Sequence, residues 1–278
     1  MGLFDGKKGL ILGVANDRSI AWAIAQKIMS EGGLCGFSHL PDRPDDDRQK
    51  NRRRVEKCIN GFDQAKFLVP LNVQDDDQIA AVIGRGKEEF GTIDFLLHSI
   101  AFADRADLLK DTIETSREGF KLAMEISAYS LMAVGSAAKE IMGPGGSIAT
   151  MTYLGGEKCV PGYNVMGICK AALDSAVKYM AYDLGPKGIR VNAISAGPLK
   201  TLASSAVGAG EMLALYEHMS PLGRNITHQE VGNTGAFILS DMSEGITGEI
   251  LHIDGGYNMM GSPGRLLEKI KEAQTGNA

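Results

Sequence analysis

Short apolar runs bounded by glycines or turn residues alternate with longer segments of helical periodicity along almost the whole chain. That rhythm restricts the fold more than any other feature. "GLILGV" (9–14) reads as a strand and "SIAWAIAQKIMSEG" (19–32) as a helix. "LCGFS" (34–38), "KFLVPLNV" (66–73), "IDFLLHSIA" (93–101), "GSIATMT" (146–152), "GIRVNAIS" (188–195) and "GEILHID" (248–254) supply the other strands. Further helices are expected over much of 47–60, over 75–91, across roughly 115–142 and from Val165 to Leu184. Apolar strands separated by helices need both sheet faces covered, which calls for a parallel sheet with right-handed crossovers. The chain therefore reads as α/β: a doubly wound, Rossmann-type, mostly parallel seven-stranded sheet with helices on both faces.

No Pro/Ser-rich linker and no internal repeat divides the 278 residues, a length ample for one buried core. A single dinucleotide-binding and catalytic domain is expected over 1–261, with a tail carrying one short amphipathic helix over 262–278. The rhythm fails only at 196–230, where strand signals are few and a lid over a site is expected. The net charge of −5 gives no footprint for nucleic acid. The one dense basic run, "RQKNRRR" (48–54), follows "DRPDDD" (42–47) and reads as a solvated helix start. Four scattered cysteines form no CxxC pair and have no histidine at zinc spacing, so reduced thiols and no metal site are expected. The N-terminus lacks an apolar signal core and no run reaches the length of a membrane span. A cytoplasmic protein without a membrane partner is the expectation.

Ligands of doubly wound sheets bind beyond the carboxyl ends of the strands. After the first strand, Gly13 permits a close turn, Ser19 stands at the cap position, and the helix opening at Ile20 aims its amides at an anion. The second strand ends in "FSHLPDR" without the acid that selects NAD. Asp42 comes a few residues late, while His39 and Arg43 are candidates to accept a 2′-phosphate. Val73 follows the third strand, and Ser99, Ile100, Ala101 and Phe102 end or follow the fourth.

The most informative stretch is "YLGGEKCVPGYNVMGICK" (153–170). Tyr163 and Lys170 stand seven apart, two helical turns, and so share one helix face. A phenol is neutral at pH 7, and a neighbouring ammonium makes it a stronger donor toward an oxygen that gains charge. Tyr153 is a second phenol in the same stretch. Downstream, the small residues and glycines of "AGPLKTLASSAVGAGEML" (196–213) supply the expected lid, in which Leu202, Ala203 and Ala206 face an acyl chain. Met166 and Met212 offer adaptable apolar contact.

"GYNVMGICKAALDS", "IRVNAISAGPLKT" and "ITGEILHIDGGY" together resemble the short-chain dehydrogenase/reductase superfamily. More narrowly, they are similar to the bacterial enoyl-acyl-carrier-protein reductases of type II fatty acid synthesis, from about Gly6 to Gly256. The resemblance implies reduction of the trans-2 double bond of an enoyl thioester on acyl carrier protein, by hydride from NADH, with NADPH still open. It implies Tyr163 as the catalytic tyrosine, Lys170 as its partner lysine and a homotetrameric assembly. It further implies a cofactor site lined by Gly13, Ser19, Ile20, Leu40, Val73, Ser99, Ile100, Lys170, Leu199 and Thr201. Leu40 stands where NADH-using members commonly carry Gln, a departure from the pattern. Ala101, Phe102, Tyr153, Tyr163, Met166, Leu202, Ala203 and Ala206 are the implied or expected substrate contacts.

Ketone-reducing relatives carry Tyr-x-x-x-Lys, which counts back from Lys170 to Met166. Thirteen residues before Met166, where those relatives place serine, stands Tyr153. A 3-ketoacyl or other carbonyl reductase is the nearest rival reading, and Met166 opposes it. A non-catalytic nucleotide-binding protein is a further rival, opposed by the presence of both Tyr163 and Lys170.

Overall fold

The structure, a computed structural model, describes residues 2–201 and 209–275. Seven parallel strands form one sheet in the order β3-β2-β1-β4-β5-β6-β7. They are β1 (Lys8–Leu12), β2 (Leu34–His39), β3 (Ala65–Pro70), β4 (Ile93–His98), β5 (Met142–Thr152), β6 (Arg190–Ala196) and β7 (Ile250–Ile253). The doubly wound, Rossmann-type expectation holds. The strand order reverses between β1 and β4, which opens a crevice at the carboxyl ends of that pair.

Helices fill both faces. On one side lie α1 (Ile20–Ser30) and α2 (Lys50–Ile59), whose buried Trp22, Ile24, Ile28 and Val55 pack with Phe37 and Phe95 of the sheet. On the other lie α3 (Asp76–Phe90), α5 (Arg117–Met124), α6 (Ser130–Ala138) and α7 (Asn164–Leu184), with α4 (Arg105–Leu108) a single turn above them. Each fully buried Leu, Ile or Phe in these layers contributes roughly 1.5–3 kcal/mol. That packing is what fixes the strand ends in space.

Several expected boundaries move for physical reasons. The third strand stops at Pro70, three residues early, because its partner β2 ends at His39, whose carbonyl takes the last bond from the Leu71 amide at 2.8 Å. The long helix expected across 115–142 is broken by a π-turn at Glu125–Tyr129 and ends at Ala138, and β5 already begins at Met142. Within 196–230, α8 spans Ala209–Met219. The reading assigned nothing to 231–247, yet α9 (His228–Leu239) occupies much of it. Its capping box, with Thr227 accepting from the Glu230 amide and Glu230 accepting from the Thr227 amide, is readable in the sequence. α9 packs closely on α1: a side chain at Gly235 would overlap Ile24, and one at Gly232 would meet the Ala23 carbonyl. α10 (Leu266–Thr275) is the expected helix of the tail.

Candidate active site

At the reversal point, β1 and β4 approach so closely that a Cβ on Gly13 would lie 2.0 Å from the Ser99 carbonyl oxygen. With its φ of 101°, this position accepts only glycine without strain. Ser19 does stand at the N-cap of α1, but its hydroxyl does not cap the helix. Instead Oγ turns back and accepts from the amides of Ala15 and Asn16, at 2.9 and 3.1 Å, and stitches the loop shut. The reason is geometric: the turn brings those two amides to the hydroxyl first. Among the described residues, the amides of Ile20 and Ala21 consequently have no hydrogen-bond partner. They face outward with the positive end of an eleven-residue helix, donors suited to a pyrophosphate.

At the end of β2, His39 is buried and its Nδ1 contacts the Leu40 carbonyl at 3.0 Å. Leu40 is 63% exposed at the rim. Asp42, which followed the strand too late to bind a ribose, has a different partner. Its carboxylate accepts from the amides of Asn51 (2.6 Å) and Arg52 (3.2 Å) and closes the N-terminus of α2. Arg43 stays exposed beside the rim.

Beyond β3, Val73 is buried against the apolar layer on the α3 side. Beyond β4, Ser99 and Ile100 are half-buried, Ala101 is exposed and Phe102 is 49% exposed. The backbone of Phe102 is clamped by Ser127, which accepts from its amide and donates to its carbonyl, both at 2.9 Å. Ser127 reaches this loop because it sits in the π-turn; a wider turn of this kind re-aims side chains and recurs at functional sites. The same hydroxyl lies 3.8 Å from the Met166 sulfur. Met166 is 7% exposed, packed with Ala123, Val165 and Cys169, so little of it remains for an acyl chain.

Lys170 lies in the second turn of α7. Tyr163 is the last residue before the helix, held there by Gly162 (φ 80°) and by Asn164 (φ 40°), whose side-chain amide donates to the Leu108 carbonyl at 2.9 Å. Its ring meets that of Tyr153 edge-on, with centroids 4.7 Å apart. Gly155 makes room for it, since a Cβ there would sit 2.4 Å from Tyr163 Cδ1. Among the described residues, the Tyr163 hydroxyl has no hydrogen-bond partner. Burial raises its pKa above the ordinary phenol range, with Tyr153 adding to the effect, so the group is a proton donor throughout the neutral range.

Lys170 is 5% exposed, and its Nζ donates to the Met151 carbonyl of β5 at 2.8 Å. Burial draws its pKa down to about 8, with Asp174 and then Cys169 working against the shift. Asp174, one turn further along α7, is a residue the sequence reading did not single out. It is 5% exposed, and neither carboxylate oxygen has a hydrogen-bond partner. Burial raises its pKa; Thr152, placed just outside hydrogen-bonding geometry, and Lys170 act in the opposite direction. Gly156 admits the carboxylate, for a Cβ there would lie 2.6 Å from Asp174 Oδ2. Below Lys170, the buried His98 of β4 bridges Thr150 (3.0 Å) and Ser130 (2.8 Å). Desolvation, then the charge of Lys170, pulls its pKa to about 3, so it is a neutral strut between strands and α6.

The far wall comes from the carboxyl ends of β6 and β7. Leu199 is buried and Thr201 half-buried, with the Thr201 amide on the Leu199 carbonyl at 2.9 Å. Leu202, Ala203 and Ala206 lie outside the described residues. From α8, Tyr216 meets the Tyr153 hydroxyl at 2.9 Å, and its ring stacks on Tyr257 with centroids 4.0 Å apart. Nothing local in the sequence marked Tyr216 or Tyr257; the contact exists only once α8 folds back over β5. Tyr153 thus touches both Tyr163 and Tyr216, and Lys170 is anchored on Met151, two residues before Tyr153.

A family profile described as "Enoyl-(Acyl carrier protein) reductase" matches residues 13–258. The chain is similar to the NADH-dependent enoyl-acyl-carrier-protein reductase of Nostoc sp., 48% identical over 257 residues, covering 92% of this chain and 98% of that one. Among solved structures, it superposes on the Bacillus cereus enoyl-acyl carrier protein reductase, determined with NADP+ and an indole naphthyridinone, with a TM-score of 0.88. That pair is 45% identical, covering 94% and 100% of the two chains. The Anaplasma phagocytophilum reductase, in complex with NAD, gives a TM-score of 0.87 at 42% identity, covering 94% and 97%.

Proposed function

The chain belongs to the enoyl-(acyl carrier protein) reductase family, and we propose that it reduces the trans-2 double bond of enoyl groups carried on acyl carrier protein, taking NADH as its cofactor. One observation carries the mechanistic reading: the phenol that precedes the helix of the buried Lys170 is at position 163, with its hydroxyl unbonded among the described residues, while a buried methionine occupies position 166. A carbonyl reductase on this plan needs its phenol where Met166 stands.

The pocket residues fit the cofactor. The free amides of Ile20 and Ala21 suit its pyrophosphate, and Gly13 lets that group approach the backbone. An ammonium has three protons; Lys170 gives one to Met151 and retains two for the ribose hydroxyls near the nicotinamide. Ser99, Ile100, Val73, Leu199 and Thr201 line the crevice between these anchors, and Leu40 borders the adenosine end. Bound NADH supplies the hydride that substrate C3 accepts.

Hydride addition at C3 moves negative charge onto the thioester oxygen. Tyr163 donates its hydroxyl proton toward that oxygen, stabilising charge that exists only in the transition state. Lys170 holds a positive charge near the phenol and fixes the ring of the cofactor by its ribose contacts. Tyr153 lies against Tyr163 and presents a second hydroxyl on the same side of the pocket. Ala101 and Phe102 border the acyl end, where the Ser127 clamp keeps the loop in place.

Among the described residues no helix is long and apolar enough to cross a membrane, and the four cysteines are free; both accord with a cytoplasmic enzyme. A homotetramer accords with the large apolar side chains that α7 and the π-turn region leave exposed, Tyr179 at 73%, Tyr182 at 82% and Tyr129 at 52%. The decisive assay incubates the protein with a crotonyl thioester, and separately with a 3-ketoacyl thioester, and follows oxidation of NADH and of NADPH. Oxidation of NADH with the crotonyl substrate is expected. Turnover of the keto substrate alone would replace this reading with the carbonyl-reductase one.

A further inference from the structure

Three tyrosines from three separate segments form a relay of contacts that ends on Tyr163. Tyr153 comes from the end of β5, Tyr216 from α8, and Tyr257 from the turn after β7. Tyr257 has a firm seat. Asp254 accepts from the Gly256 amide (2.9 Å) and the Asn258 amide (2.8 Å), which sets the turn. Gly255 and Gly256, at φ 67° and 87°, let that turn press against Ser220 and Pro221 at the foot of α8. The Leu222 amide, bonded to the Gly255 carbonyl at 3.1 Å, ties the two segments together. Tyr216 is therefore stacked on a fixed ring, and its hydroxyl is delivered to Tyr153.

The direction of the Tyr153–Tyr216 hydrogen bond follows from burial. Tyr216 is 5% exposed, and among the described residues its hydroxyl has no other partner. If Tyr153 were the donor, the Tyr216 proton would be left buried and unbonded, an arrangement that folded proteins avoid. With Tyr216 as donor, both hydroxyls are satisfied. Tyr153, half-buried at the pocket edge, then keeps its own proton free to donate. Burial raises the pKa of both phenols, so neither loses its proton in the neutral range.

Resting on the reductase reading above, we propose that Tyr216 is a positioning residue for the reaction: by donating to Tyr153 it turns the Tyr153 hydroxyl into a second donor beside Tyr163, directed at the substrate's thioester group. Donation to a phenol oxygen also polarises its O–H, so Tyr153 becomes a stronger donor than an isolated tyrosine. The stack on Tyr257 keeps the arrangement in place without contributing a polar group of its own.

The test is a double-mutant cycle on the full-length protein, read as kcat and KM for NADH oxidation with a crotonyl thioester. Tyr216→Phe keeps the stacked ring and removes only the hydroxyl; Tyr153→Phe removes its acceptor. Tyr216→Phe should lower kcat by roughly three- to tenfold, the worth of one neutral hydrogen bond, with KM for NADH unchanged. In a Tyr153→Phe background the same substitution should cost nothing further, a non-additivity that a purely structural role does not produce. An unaltered kcat in Tyr216→Phe, or an equal loss in both backgrounds, would overturn the inference while leaving the function in place. A wild-type protein that fails to oxidise NADH with the crotonyl substrate would overturn the reductase reading and this inference with it.

Discussion

On the proposed mechanism, the pH dependence of turnover follows Lys170. The polar groups that act on its ammonium are His98 from β4, the Met151 carbonyl from β5, and Cys169 and Asp174 from its own helix. His98 is neutral, so Asp174 is the main group that favours the cation. With its pKa near 8, Lys170 loses its charge as pH rises through that value, well below the ordinary lysine range. The profile of kcat/KM for NADH, which reports the free enzyme, should fall on the alkaline side with a midpoint near 8. Replacing Asp174 with Asn keeps the volume and removes the charge. At a helical i,i+4 separation of about 6 Å and an effective dielectric of about 20, the lost attraction is about 3 kcal/mol, or roughly 2 pH units. That figure is a ceiling, because no direct contact fixes the pair, and a shift of about one unit toward lower pH is expected. The sign is fixed: losing a carboxylate disfavours the cation, so the alkaline limb moves down in pH. An alkaline limb near an unperturbed lysine, or a limb that Asp174→Asn does not move, would refute the assignment of this titration to Lys170.

Tyr163→Phe removes only a hydroxyl that no group among the described residues uses, so the thermal midpoint and NADH affinity should stay at wild-type values while kcat falls about 10²- to 10³-fold; calorimetry, fluorescence titration and steady-state kinetics check the three parts. Gly155→Ala puts a methyl 2.4 Å from Tyr163 Cδ1 and must displace the ring, so kcat should drop by about tenfold or more, at a stability cost of roughly 1–3 kcal/mol by urea unfolding. His98 has a folded pKa near 3 against 6.5 when unfolded, so the unfolded chain binds the extra proton between those values and stability falls as the solution is acidified. From pH 6.5 to 5 the loss from this residue should be roughly 1–2 kcal/mol, and urea unfolding of His98→Gln should lack that share of the slope.

The sheet was legible because burial on both faces writes each strand as an apolar run, and such runs survive small errors at their ends. At the candidate site, the sequence spacing of Tyr163 and Lys170 puts one just before α7 and the other buried within it. Other parts depend on contacts between distant segments. Ser19 occupies the cap position read from the sequence, yet which amides its hydroxyl meets depends on how the preceding loop closes. Asp42 was weighed as a ribose ligand, but α2 folds back to claim its carboxylate. The π-turn that aims Ser127 at Phe102 alters helical phase without any change of composition. α9 is different, because Thr227 and Glu230 announce its start in plain sequence and the signal was available.

The displaced phenol can be followed quantitatively. Met166 stands three residues beyond Tyr163, a rise of about 4.5 Å along a helix. When a ketone is reduced, the oxygen that takes the proton is bonded to the carbon that takes hydride. When an enoyl thioester is reduced, the oxygen belongs to C1, two carbon–carbon bonds of about 1.5 Å beyond C3, so roughly 3 Å separates the two tasks. Moving the phenol back by one turn is the smallest step a helix allows that covers this distance while leaving Lys170 in place for the cofactor. The vacated position then has to be filled without a competing donor. Met166 does so with a sulfur that faces Ser127, and Ser127 in turn clamps the Phe102 backbone at the acyl end of the pocket. The room gained at the start of the helix is taken by the Tyr163 ring against Gly155, with the edge of Tyr153 against it. The displacement of one donor therefore accounts for the residues at 127, 155, 163 and 166 together, and it leaves Tyr153 where a second hydroxyl can serve the same oxygen.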